Sequence, residues 1–140
     1  MKRKRSKARE LALQVLFAIE ASQSEPDEVI SIFWQEQRDV LPEIKEFADS
    51  LIRGVLKRLF EVDNLISSHA DNWEFSRIAI VDRNIMRIAT LELMAMKDIP
   101  GAVVINEAVE LAKTYSTQDS SKFVNGILDK IKEDINRVRV

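Results

Sequence analysis

A chain of 140 residues, 46% of them hydrophobic, with three glycines and three prolines, is long enough for one continuous core and poor in the turn formers a sheet-rich protein needs. It has no cysteine and a single histidine, which excludes disulfides and thiolate metal sites and leaves too few ligands for a zinc centre. The net charge of -2 hides an asymmetry: residues 1–10 carry six basic side chains against Glu10, while the other 130 carry 15 basic and 22 acidic groups. A polyanion therefore meets one attractive end on a mildly repulsive body.

Residues 1–5 read as a flexible basic arm that runs into a first helix near Ser6. Ala8, Leu11, Ala12, Val15 and Ile19 recur at three- and four-residue spacing and form its core stripe. Arg5, Arg9, Leu13 and Phe17 make a second, slowly drifting line. Two readings of that line stay open: Leu13 and Phe17 pack on another helix, or the cations hold phosphates while a ring offers a stacking surface. Pro26 and Pro42 each suit the first turn of a helix, where the missing amide hydrogen is not needed. Val29, Ile30 and Phe33 supply the buried side of the first of these helices. In the second, the stripe from Ile44 through Leu51, Val55 and Val62 to Ile66 predicts one helix of about six turns at roughly 3.6 residues each, the spine of the fold. His69 stands at its end as a capping or surface group.

Residues 70–80 form a connection or a short helix in which Trp73, Phe75 and Ile78 cover the core. Asp82 then caps or opens a helix through about Lys97. Glu92 sits among its apolar positions, and a buried carboxylate needs a partner; an arginine or the amide-rich start of the next helix would serve. Pro100-Gly101 breaks the chain. From Val103 to Ile131 two further helices follow, with Val104, Ala108, Leu111, Ala112 and Tyr115 on one stripe and Phe123, Val124, Ile127, Leu128 and Ile131 on the next. The polar bend between them ends in Asp119 or Ser120 as N-cap. Asn106, Glu107 and Glu110 line one face of the first helix, and Gly126 interrupts the second at about 1 kcal/mol relative to alanine. The tail after Ile135 frays.

No catalytic constellation is present. There is no glycine-rich phosphate loop, no nucleophile elbow and no HExxH motif, and one histidine cannot build a dinuclear carboxylate bundle. The protein is expected to work by binding, with no cofactor and no metal. No apolar run approaches the roughly 18 residues of a membrane span, and the basic start lacks the apolar stretch of a secretory signal, so a cytoplasmic location is expected.

INEAVELAK at 105–113, a short polar bend, and then SxKFVNG at 120–126 resemble the signature of the NusB family of bacterial transcription antitermination factors. Upstream, Val81-Asp82-Arg83-Asn84-Ile85-Met86-Arg87-Ile88-Ala89 resembles the family's preceding helix. The resemblance implies an all-α fold of about seven helices in two packed bundles, here 6–69 and 70–140 behind the arm 1–5. It also implies binding of boxA-type RNA together with the small-subunit ribosomal protein that acts as NusE, within an RNA-polymerase-bound complex. It assigns RNA contacts to Arg3, Lys4, Arg5, Lys7 and Arg9, with Phe17 as a stacking residue, and extends them to Lys122 and Phe123. Phe123 also falls at the edge of an apolar stripe, so a core role is equally open. Asp82 matches an acidic position facing the ribosomal protein. A homodimer covering the arm, an RNA-independent helical adaptor, and a module akin to the RNA-binding extension of certain rRNA methyltransferases are the alternatives. The absence of room for a cofactor-binding domain argues against the last.

Overall fold

The computed structural model describes residues 3–71 and 73–138. Among them there are seven α-helices and no strand: α1 (Lys4–Ser22), α2 (Pro26–Glu36), α3 (Pro42–Lys57), α4 (Leu59–His69), α5 (Ile80–Ala95), α6 (Gly101–Tyr115) and α7 (Gln118–Val138), with a 3-10 turn at Phe75–Arg77 before α5. The all-α expectation holds.

Helix α1 starts earlier than the apolar spacing suggests. The Lys7 amide already donates to the Arg3 carbonyl at 2.9 Å, so Lys4 and Arg5 are helical rather than part of an arm; Met1 and Lys2 lie outside the described residues. At the other end Gln23 takes a left-handed φ of 57° and returns its amide hydrogen to the Ile19 carbonyl at 3.2 Å, closing the helix as a left-handed cap does. Pro26 and Pro42 sit in the first turns of α2 and α3 as expected.

The expected spine is two helices. The chain bends at Arg58 (φ -113°, ψ 27°), where no proline or glycine stands. The bend turns α4 away from α3 and onto α5 and α7, which lets Val62 and Ile66 become fully buried. Arg58 closes the corner from outside with a forked pair to Glu61, Nε–Oε1 3.0 Å and Nη2–Oε2 2.7 Å.

The central element is α5. It touches α1, α3, α4, α6 and α7, and Ile85, Met86, Ile88, Ala89, Thr90 and Leu91 are all buried. Helices α2 and α3 both pack on α1, while α4, α6 and α7 gather on α5. One apolar core threads both groups. Ala8, Leu11 and Ala48 seal the α1–α3 contact beside it. Gly54 allows α3 to cross α5 closely, because a Cβ there would fall well inside contact distance of the Leu91 side chain.

Between α6 and α7 the N-cap is Thr117, not Asp119 or Ser120. Its Oγ1 accepts the Ser120 amide hydrogen at 3.0 Å, and its carbonyl accepts that of Ser121 at 3.1 Å. A threonine oxygen caps nearly as well as aspartate or serine, which leaves the Ser120 hydroxyl available to bond Asp82.

Candidate nucleic-acid interface

Along α1, steps of three and four residues carry Arg3, Lys7, Glu10, Gln14 and Phe17 down one side. Arg3, Lys7, Gln14 and Phe17 are exposed, and Glu10 lies buried between them. The line Arg5–Arg9–Leu13–Phe17 does not stay together. Each four-residue step rotates by roughly 40° about the axis, so the line passes from surface to core and out again. Leu13 packs inside at 3% exposure, whereas Phe17 keeps 41% of its surface open.

The cations divide into three kinds. Arg3 and Lys7 are exposed. Lys4 and Arg5 are exposed but engaged on the α3 side: Lys4 Nζ lies 2.6 Å from Glu43 Oε1, and the Arg5 guanidinium lies 4.6 Å over the Phe47 ring. A surface pair of this kind contributes about 0–1 kcal/mol, so a phosphate can displace it. Arg9 is a core residue. It is 3% exposed, grips Glu92 with Nε and Nη2 at 2.9 and 2.6 Å, and reaches Glu107 with Nη1 at 3.1 Å. Expected among the RNA contacts, it instead ties α1 to α5 and α6, and Ser6 joins the same Glu107. The partner demanded by Glu92 is thus an arginine. Burial pushes the Glu92 carboxyl above its ordinary value, and the Arg9 bond and charge pull the other way.

At the start of α7, Lys122 is exposed, and Phe123 is half-buried and edge-on to Trp73 at 5.4 Å between ring centres. Phe123 packs against the core while also lining a cavity of about 290 Å³ with Trp73 and Asp82. Asp82 is 5% exposed. Its Oδ2 accepts the Ser120 hydroxyl at 2.9 Å, while Oδ1 has no hydrogen-bond partner. It stands in the first turn of α5, where a carboxylate is favoured by the unpaired amides, and links that turn to α7.

Tyr115 falls elsewhere than the periodicity indicated, Gln14 was not marked by it, and His69 stands at a helix end as expected. Tyr115, assigned to the core stripe, keeps 39% exposure and donates its hydroxyl to Glu10 Oε1 at 2.7 Å. Gln14 is exposed on the α1 face without having been singled out. His69 ends α4 with Nε2 3.0 Å from Asp134 Oδ2 of α7. Among the described residues no group of three His, Cys, Asp or Glu side chains could hold a metal ion, and no helix is long and apolar enough to cross a membrane.

A helical body that turns lysine, arginine and an aromatic ring outward along one helix has the make-up of an all-α nucleic-acid-binding module. Residues 6–133 match the NusB family. The transcription antitermination protein NusB of Sorangium cellulosum (strain So ce56) is 46% identical over 134 residues, 96% of this chain and 95% of that protein. The solved T. maritima NusB superposes with a TM-score of 0.86 at 40% identity, covering 96% of this chain and 94% of that one. A structure of the antitermination factors NusB and NusE in complex with dsRNA superposes equally well, TM-score 0.86 at 28% identity over 96% and 99% of the two chains. The chain belongs to the NusB family.

Proposed function

We propose that this protein is an RNA-binding transcription antitermination factor that acts with the ribosomal protein NusE on boxA-type RNA, as part of an RNA-polymerase-bound complex in the cytoplasm. It works by binding and carries out no chemistry. The observation that carries the reading is the α1 face, where Arg3 and Lys7 precede Gln14 and the open ring of Phe17. The cations hold phosphates without reading sequence, and Phe17 offers a base a stacking surface. Lys4 and Arg5 widen the cationic edge toward α3, and Lys122 and Phe123 extend the surface to the start of α7. Arg9 serves by positioning α1. Asp82 belongs to the partner-facing side through the cavity it lines. The relative solved with NusE and dsRNA supports a composite surface in which each protein supplies part of the grip.

The test is RNA affinity across salt, with and without the ribosomal partner. Neutralising both cations in Arg3→Gln/Lys7→Gln makes the salt slope shallower by about 0.7 for each single-strand phosphate that no longer meets a cation. A protein-only adaptor shows no RNA-linked salt slope at all, and an unchanged slope in the double variant rejects α1 as the RNA face.

A further inference from the structure

We infer that Tyr115 is a second aromatic platform for a nucleobase, standing beside the basic face of α1 and held there by Glu10. The inference rests on the proposal above that RNA runs along α1. Tyr115 is the only tyrosine of the chain. It ends α6 and leaves 39% of its surface exposed, close to the 41% of Phe17. Its hydroxyl donates to Glu10 Oε1 at 2.7 Å, and Glu10 lies on the α1 face between Lys7 and Gln14. Arg3 precedes Glu10 by two helical turns and Phe17 follows it by two, about 10 Å along the axis in each direction. The ring therefore stands midway between the cationic end of the face and its phenylalanine.

A purely structural tie between α6 and α1 would need the hydroxyl bond but not the open ring. Covering that ring would bury apolar area and stabilise the fold. Left open beside lysine and arginine, it offers a π-face that any base can use. Because the phenol proton is engaged by Glu10, the ring supplies stacking rather than a proton for base-edge recognition, so the site senses the presence of a base and not its identity.

The test uses the full chain, a single-stranded boxA-type RNA, and the same strand carrying abasic sites. Tyr115→Leu should weaken binding of the base-bearing strand about 5- to 100-fold, with an unchanged salt slope and unchanged affinity for the abasic strand. Tyr115→Phe, which keeps the ring, should stay within about threefold of the parent. Equal loss on both strands, or no loss on either, overturns the inference. Should Tyr115→Leu fail to fold, Tyr115→Gln replaces it under the same criteria. Lys7→Gln is titrated in parallel. If it flattens the salt slope while the Tyr115 variants are inert, RNA does run along α1 and only the platform is wrong. If it leaves the slope untouched, the placement of RNA itself fails.

Discussion

Replacing Arg9 by methionine separates its structural role from a role at the RNA. The guanidinium makes three charge-assisted bonds, two to Glu92 and one to Glu107, with side-chain exposures of 3% for Arg9 and 1% for Glu92. Methionine keeps most of the apolar stem and removes the guanidinium with its charge and its three hydrogen bonds, which leaves Glu92 buried without its cation. Breaking such a pair from one side costs about 3–5 kcal/mol, a large share of the roughly 5–15 kcal/mol that holds a domain together. In urea the midpoint should fall with the slope unchanged, and the melting temperature should drop by about 10–20 °C for a chain of this size. The loss depends on pH. Burial already raises the Glu92 carboxyl, and Arg9 is the chief opposing influence, so the variant's folded-state pKa rises further above the unfolded value. Stability linked to a raised carboxyl is present at low pH and lost as pH rises through the folded pKa, and the deficit of Arg9→Met should therefore shrink as pH falls from neutrality. Arg9→Met/Glu92→Leu removes both charges and should recover most of the loss, since apolar replacement of a buried pair is often neutral or better. An Arg9→Met protein with the parent urea midpoint but a shallower salt slope for RNA would refute this reasoning and return Arg9 to the phosphates.

Two glycines make predictions of opposite sign. Gly54→Ala forces a methyl against the buried Leu91 side chain at the α3–α5 crossing; overpacking of about 1–3 kcal/mol outweighs the helix-propensity gain of about 1 kcal/mol, so the urea midpoint should fall, and a midpoint above the parent's would mean that the crossing is not close-packed. Gly126 has nothing within 4 Å of the place its Cβ would occupy, so Gly126→Ala should add up to about 1 kcal/mol through helix propensity alone, seen as a higher melting temperature, and a lower one contradicts the open surface.

Apolar spacing located the interior where one helix face meets one neighbour. Ala8, Leu11, Ala12 and Val15 of α1 and Val124, Ile127, Leu128 and Ile131 of α7 are buried as the period requires. The same signal does not register the bend at Arg58. Both α3 and α4 keep the helical period on either side of it, and only the position of α5 and α7 makes turning worthwhile. Arg9 was obscured by its neighbours, since a run of cations at a chain end reads as one solvent-facing unit. Its partner was legible: Glu92 amid apolar residues demands a cation, and Arg9, directly after Ala8 on the core stripe, was placed to meet it. Tyr115 illustrates the remaining gap. Periodicity assigns a side of the helix, but it does not say where along that side the neighbouring helix stops covering it.

Since α1 is at once a core helix and the proposed RNA face, removing residues 1–10 is a poor probe of RNA binding. The deletion takes away Ala8, fully buried against α3, and Arg9 with its bonds to Glu92 and Glu107. It also takes Glu10 from Tyr115. The truncated chain should lose at least the 3–5 kcal/mol expected of Arg9→Met, and loss of RNA binding would then report unfolding as readily as a missing phosphate grip. Arg3→Gln/Lys7→Gln changes only exposed side chains and should leave stability within about 0.5 kcal/mol. Side-by-side urea unfolding of the two proteins decides the matter. If the truncated chain unfolds at the parent midpoint, the first turns of α1 contribute nothing to the core, and the buried Arg9–Glu92–Glu107 cluster is not the anchor that its geometry indicates.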